Sequence, residues 1–172
     1  MISRKAALAC ALLLLLPAVV VWDLNGDSFD LRDREVVLVV TDSMDGDNHE
    51  YDIGSFPADT LVMIEHLDGQ ERRFLRIGDV ISYSDQGTLV HHRVVQVGDG
   101  YVYVHGDNNH STEKVMMDDI NGKVVGTNWV LGHMLAWISA NFYVFLAMLF
   151  VIGSIIIVYA VYSDKGTEVV AE

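Results

Sequence analysis

Three residue types that can form an activated nucleophile follow one another along this chain: a serine, a histidine and an acid. Ser43 comes just after residues 36–40, a run of β-branched and apolar residues typical of a buried strand. His92 lies inside a valine-rich stretch, and Asp107 follows another short apolar stretch. A serine hydroxyl becomes nucleophilic when a histidine takes its proton, and a carboxylate can orient that histidine. Together these residues could carry out acyl transfer.

A hairpin is the element that must bring the histidine and the acid together. Asp99-Gly100 is the strongest two-residue turn signal in the sequence, and it separates two apolar, valine-rich stretches. Counting outward from this turn, the pattern predicts that His92 lies directly opposite Asp107, with Cβ atoms about 5 Å apart. A slip of one residue would place Gly106 there instead, so the prediction depends on the register.

Four sequence boxes occur in a fixed order between residues 34 and 126. They are Ser43-Met44, His92-Arg93, Gly106-Asp107-Asn108-Asn109 and Ile120-Asn121-Gly122-Lys123-Val124-Val125-Gly126. In this respect the chain resembles the type I signal peptidases of the archaeal and endoplasmic-reticulum class. The resemblance implies a membrane-bound serine endopeptidase that cleaves N-terminal signal peptides from secreted and membrane preproteins without a cofactor. Its implied partners are those signal peptides, the lipid bilayer and the protein-translocation machinery.

The resemblance also implies a role for individual residues. Ser43 matches the nucleophile and His92, directly before an arginine, matches the base. Asp107 matches one acid of the family, and Glu113 stands six residues later, where the family has a second aspartate. Thr41, with the backbone N–H of Ser43, matches the oxyanion hole. We expect Asp107 rather than Glu113 to be the acid of the triad, because Asp107 keeps the family's residue type.

Two features set limits on the resemblance. The family usually has a proline within a few residues of its Ser-Met box, whereas the first proline after Ser43 is Pro57. Residues 45–60, rich in Asp, Gly and Asn, therefore predict an inserted loop. His91 precedes the candidate base, and we expect its side chain to point to the opposite face of the strand because side chains alternate there.

Two other function classes fit parts of the sequence. His91, His92, His105, His110 and Asp107 are close enough in sequence to form a zinc site, although no cysteine or helical His-Glu-x-x-His motif accompanies them. The chain could also be a membrane-tethered β-domain without catalysis. The net charge of −13 disfavours nucleic acid as a partner, since phosphates are bound by Lys and Arg. The single cysteine, Cys10, excludes an internal disulfide.

Two uncharged apolar runs indicate membrane helices. Residues 6–22 follow Arg4 and Lys5, and we expect them to form an uncleaved anchor after a cytoplasmic N-terminus, residues 1–5. Residues 137–162 predict a second span, followed by a cytoplasmic tail, 163–172. These expectations describe a two-pass cell-membrane protein with its catalytic domain on the extracytoplasmic side.

The region between the two spans reads as a short stalk, 23–34, followed by a mainly β domain, 35–132. Turn signals recur every 8–12 residues or so, which is typical of antiparallel strands. The predicted fold is an antiparallel sheet or a partly open barrel flanked by N- and C-terminal transmembrane helices. The predicted strands are 35–40, 61–64, 77–83, 89–97, 101–104 and 123–130.

Overall fold

The computed structural model describes residues 28–31 and 33–168. Within them, eight strands form one antiparallel sheet in the order β1-β2-β3-β8-β4-β5-β6-β7, so β1 and β7 are its edges. The strands are β1 (Ser28–Leu31), β2 (Arg34–Leu38), β3 (Leu61–His66), β4 (Val80–Asp85), β5 (Thr88–Val97), β6 (Tyr101–His105), β7 (Thr112–Met116) and β8 (Ile120–Asn128). Two 3₁₀ turns, Glu71–Phe74 and Met117–Asp119, connect strands. The predicted mainly antiparallel β class is therefore confirmed.

The sheet is packed on both faces. Val80 belongs to one apolar cluster and its neighbour Ile81 to another, because successive side chains of a strand point to opposite faces. The first cluster includes Met44 and Phe56, so the long loop between β2 and β3 covers that face. The second cluster is built largely from strands β4 to β8. The candidate residues are thus held by a core on each side of β4 and β5.

Strand boundaries differ from the predictions where a side chain or a glycine redirects the chain. Val80 rather than Ile77 begins β4, because Gly78 has a φ of +97° and Asp79 accepts a hydrogen bond from the backbone of Arg76 at 2.9 Å. Strand β8 ends at Asn128 rather than at residue 130, since the Asn128 side chain accepts a hydrogen bond from the backbone N–H of Leu131 at 2.9 Å. That contact is an N-cap, which starts a helix.

Two strands were not predicted. Strand β1 lies in the segment expected to be a stalk and pairs with β2. Strand β7 lies in a polar segment for which no strand was predicted, and it pairs Glu113 with Val104 of β6. Only Val115 of β7 is buried, so this strand lacks the alternation that predicts a strand. Charged residues are common on such edges, because they discourage pairing with another chain.

Two helices follow the sheet, α1 (Trp129–Ala140) and α2 (Phe142–Glu168). The contacts divide the chain into two compact units, and the sheet belongs to the unit Asp27–Ala136. In the other unit, residues 142–159 of α2 are long and apolar enough to cross a membrane. The predicted second span, 137–162, overlaps this helix, but a break at residue 141 separates its first residues from α2. The predicted first span, 6–22, lies outside the described residues.

Candidate active site

Ser43 lies in a tight turn beyond the end of β2. The backbone of Val39 still pairs with that of Thr60, and the chain then folds back so that the N–H of Asp45 donates to the carbonyl of Asp42 at 3.0 Å. Next to Ser43, Met44 is 1 % exposed and anchors the turn in the core. Ser43 itself is half-buried. The turn therefore presents a hydroxyl near the surface on a fixed backbone.

A second turn, Gly106–Asn109, holds the first one in place. The N–H of Asn108 donates to the carbonyl of Ser43 at 2.9 Å, and the Asn108 side chain donates to the carbonyl of Asp42 at 3.1 Å. A Cβ on Gly106 would stand 2.7 Å from the Ser43 carbonyl and 2.6 Å from the Asn109 amide nitrogen. Glycine is therefore required here, because a side chain would push the two turns apart.

The same turn reaches His92. The amide nitrogen of Asn109 lies 3.4 Å from His92 Nε2. His92 is 5 % exposed, and burial lowers the pKa of its imidazole, against an opposing effect of the Glu113 carboxylate. A lowered pKa favours the neutral imidazole, which is the form that a base requires. The Gly106–Asn109 turn thus contacts both the backbone of Ser43 and Nε2 of His92.

The predicted pairing of His92 with Asp107 is wrong. Close to the Asp99-Gly100 turn the predicted register is correct, since Val97 pairs with Val102 and Gln96 with Tyr103. A β-bulge at Val95 then shifts the register, so that Arg93 pairs with His105. A bulge sets two residues of one strand against one of the other. His92 therefore does not lie opposite Asp107.

Asp107 instead binds Arg93. Its two carboxylate oxygens accept hydrogen bonds from Arg93 Nε at 2.8 Å and from an Arg93 terminal nitrogen at 2.6 Å. Ser55 Oγ and Asn48 Nδ2 donate to the same carboxylate at 2.6 and 3.0 Å. Burial alone would raise the pKa of Asp107, but these hydrogen bonds and the arginine charge hold it below its usual value. The carboxylate is thus fully engaged in anchoring the loop 45–60.

Glu113 faces the other nitrogen of His92. Its Oε2 lies 3.8 Å from His92 Nδ1, and the hydroxyl of Tyr83 lies between them, 2.8 Å from Nδ1 and 2.7 Å from Oε2. The carboxylate side chain is 46 % exposed, whereas that of His92 is 6 % exposed. The acid near the imidazole is therefore Glu113, which the sequence analysis ranked below Asp107. Its contact with His92 is indirect, through the hydroxyl of Tyr83.

Thr41 lies on the outer side of the Ser43 turn. Its Oγ1 is 3.4 Å from Ser43 Oγ, and both hydroxyls can donate or accept. Thr41 is exposed, so an extended peptide could approach it. The structure thus places the residue predicted for the oxyanion hole within reach of the predicted nucleophile.

His91 is buried away from these groups. It pairs across the strands with Ser82, whereas His92 pairs with Ile81. Among the described residues, neither His91 Nδ1 nor Ser82 Oγ has a hydrogen-bond partner. Burial, together with the neighbouring His92, lowers the pKa of His91 to about 4. As expected, His91 points to the face opposite His92.

Tyr83 and Asn109 contact the imidazole of His92, and neither contact was predicted from the sequence. A signal for Tyr83 was present: the Gln86-Gly87 turn sets the register of β4 and β5, which places Ile81 opposite His92. Tyr83 is then a diagonal neighbour of His92 on the same face, a position that a long aromatic side chain can bridge. Asn109 had no such signal, because its position depends on the shape of the turn.

The histidines considered as zinc ligands do not form a cluster. Within residues 28–31 and 33–168, no group of three or more His, Cys, Asp or Glu side chains is arranged to hold a metal ion. An open pocket of about 560 Å³ lies elsewhere on the domain, lined by residues 50–53, 76–79 and 123–125 together with Phe74. None of Ser43, His92 and Asp107 lines this pocket, so it is separate from the candidate active site.

No protein-family model matches this chain, and no curated protein matches it either.

Proposed function

We propose that this protein is a membrane-bound serine endopeptidase that removes N-terminal signal peptides from secreted and membrane preproteins. The observation that carries the proposal is the Gly106–Asn109 turn, which binds the backbone of Ser43 through Asn108 and reaches His92 Nε2 through Asn109. A serine hydroxyl and a buried histidine, both contacted by the same turn, are the residue types that acyl transfer requires. The substrate class comes from the four sequence boxes, whose order resembles that of the type I signal peptidases.

In this proposal Ser43 Oγ attacks the carbonyl carbon of the scissile peptide bond while His92 Nε2 takes its proton. The hydroxyl, which lies next to Thr41 in the free protein, must turn toward the imidazole, as is common when a catalytic contact tightens only with substrate bound. The imidazolium then gives the proton to the departing amine. Water hydrolyses the acyl-enzyme, with His92 again acting as base, and the hydroxyl of Ser43 is restored.

The oxyanion formed on the substrate carbonyl needs hydrogen-bond donors. The backbone N–H of Ser43 and the Thr41 hydroxyl are the proposed donors, since Thr41 Oγ1 already lies 3.4 Å from the attacking oxygen. The substrate would bind in an extended conformation, because main-chain hydrogen bonds accept many sequences. The apolar helix α2 is the proposed means of holding the enzyme at the membrane, with the sheet on the extracytoplasmic side.

The proposal is tested with the full chain in detergent or liposomes and a preprotein carrying a signal peptide. The wild type should produce one defined cut, which is read by mass spectrometry of the new N-terminus. Ser43→Ala should abolish the cut, whereas Ser84→Ala, which changes an exposed serine of β4, should cut normally. Cleavage by Ser43→Ala at the wild-type rate would contradict the assignment of the nucleophile.

The two histidines give a second comparison. His92→Ala should be inactive because the base is lost, and His91→Ala should retain most activity because its ring lies on the other face of the strand. Activity that is lost with a chelator and restored by zinc would favour a metal enzyme instead.

A further inference from the structure

Tyr83 connects two groups that do not touch each other. Its side chain comes from β4 and is only 4 % exposed. The hydroxyl lies 2.8 Å from His92 Nδ1 and 2.7 Å from Glu113 Oε2, both normal hydrogen-bond distances. The direct separation of Nδ1 and Oε2 is 3.8 Å, which is too long for a hydrogen bond. The phenol is therefore the bridge between the imidazole and the carboxylate.

The protons in the hydrogen bonds that join Glu113, Tyr83 and His92 can be placed by counting donors. An ionised carboxylate can only accept, so the single proton of the Tyr83 hydroxyl points to Glu113. The hydroxyl oxygen then accepts from the imidazole, which requires a proton on His92 Nδ1. Nε2 is left unprotonated, and this nitrogen lies 3.4 Å from the amide nitrogen of Asn109, in the turn that also binds the backbone of Ser43.

We propose that Tyr83 is a positioning residue, whose hydroxyl holds His92 in the Nδ1–H tautomer and couples its ring to the carboxylate of Glu113. The catalytic part of this inference rests on the function proposed above, because the tautomer matters for turnover only if His92 is the base. Asp107, which is bound to Arg93, leaves this orienting task to the Tyr83–Glu113 pair.

The phenol performs this role without losing its proton. Burial, followed by the hydrogen bond and the charge of Glu113, raises the pKa of Tyr83 far above its usual value. Burial lowers the pKa of His92 overall, while the charges of Glu113, Asp107 and Asp85 favour the imidazolium and His105 opposes it. The O–H dipole of Tyr83, which points to the Glu113 carboxylate, thus stabilises a positive charge on the His92 imidazole.

Kinetics of Tyr83→Phe test the inference, because this substitution removes the hydroxyl and keeps the ring. We expect kcat for preprotein cleavage to fall about 10- to 100-fold with KM nearly unchanged, which is the cost of a lost hydrogen bond to a group that becomes charged. The acid limb of kcat/KM should move to lower pH, since the imidazolium loses its acceptor. Tyr103→Phe, on strand β6, is the matched control and should change neither quantity.

A double-mutant cycle separates a bridge from two independent effects. Glu113→Gln should reduce kcat less in the Tyr83→Phe background than in the wild type, because the two side chains act through one hydrogen-bonded chain. Losses that simply add, or a Tyr83→Phe enzyme with an unchanged acid limb and wild-type kcat, would overturn the role of Tyr83.

Nitrogen-15 NMR of the histidine rings reads the tautomer without any substrate. In the full chain the His92 ring should hold its proton on Nδ1, and Tyr83→Phe should populate the Nε2–H form. If Tyr83→Phe changes the tautomer of His92 while neither the wild type nor the variant cleaves a preprotein, the positioning role stands and the proposed function fails. If the wild type cleaves and Tyr83→Phe leaves the tautomer unchanged, the function stands and the positioning is wrong.

Discussion

Arg93 and Asp107 form a bidentate ion pair that is sealed from solvent beneath the loop 45–60. The shorter nitrogen–oxygen distance is 2.6 Å, and the two side chains are 2 % and 0 % exposed. A terminal nitrogen of Arg93 also donates to the carbonyls of Ile53 and Gly78 at 2.8 and 3.0 Å, and Tyr51 lies over the guanidinium at 5.1 Å. The pair therefore ties β5 and the Gly106–Asn109 turn to the loop 45–60.

Breaking this pair should destabilise the sheet domain. Asp107→Asn leaves the guanidinium buried with a neutral partner, and loss of one member of a buried pair costs about 3–5 kcal/mol. We expect the free energy of unfolding in urea, followed by tryptophan fluorescence, to fall by that order. Arg93→Lys should lower the free energy of unfolding by a similar amount, because lysine cannot form the two parallel hydrogen bonds.

An exposed ion pair supplies the control. Arg34 and Glu65 lie 3.3 Å apart with side chains about half exposed, and such pairs contribute about 0–1 kcal/mol. Glu65→Gln should therefore leave the midpoint of unfolding almost unchanged. An Asp107→Asn protein as stable as Glu65→Gln, yet unable to turn over substrate, would return Asp107 to the role of triad acid.

The sequence predicted the hairpin at Asp99-Gly100 but not the change of register at Val95. Gly98 N–H donates to the carbonyl of Tyr101 at 2.8 Å, and Gly100 has a φ of +79°, as a tight turn requires. The bulge at Val95 has no such signature, because the valines at 94 and 95 satisfy either register equally. One extra residue was enough to replace Asp107 by Glu113 as the acid near His92.

Local turn chemistry was also easier to predict than the contacts of the site. The strand–turn pattern identified six of the strands, since each has buried β-branched residues. Strand β7 could not be recognised because its pairing with β6, and not its own apolar content, stabilises it. Glu113 lies beside Tyr83 because it is part of this edge strand. Its presence in the site therefore depends on strand pairing, which the sequence pattern did not predict.

Acid should destabilise the domain through His91. The folded-state pKa of about 4 lies below the usual value of 6.5, so the unfolded chain binds a proton that the folded chain does not. Stability is then complete above about pH 7 and is lost as pH falls from about 6.5 toward 4, by at most about 3 kcal/mol. His91→Leu should flatten this part of the profile, because a leucine has no proton to gain.

The measurement for His91 is the urea midpoint between pH 4 and 7.5 in detergent. His110→Leu is the matched control, since His110 is exposed, and its profile should follow the wild type. A His91→Leu profile with the wild-type slope would show that other groups cause the acid sensitivity.

Helix α2 should hold the protein in the membrane. Residues 142–159 have a mean hydropathy of 2.6 and contain no buried residue. Val151→Arg should reduce insertion of this helix by about 2.5–3.5 kcal/mol, the cost of arginine at the centre of a span. A glycosylation tag placed after residue 168 reports the side on which the C-terminus lies. Unchanged membrane insertion and tag position in Val151→Arg would contradict a span at this helix.

Thr41 should contribute to turnover through its hydroxyl alone. Thr41→Val has nearly the same shape but no donor, and loss of one oxyanion donor typically lowers kcat about 10²- to 10³-fold. Thr41→Ser retains the donor and should keep most of the activity. The matched control is Thr60→Val: this hydroxyl is buried without a partner among the described residues, so its removal should leave the rate unchanged and the domain no less stable. The variants are compared by initial rates of preprotein cleavage at saturating substrate. Equal rates for Thr41→Val and the wild type would mean that the oxyanion is held by backbone N–H groups alone, because the Thr41 hydroxyl would then contribute nothing to the transition state.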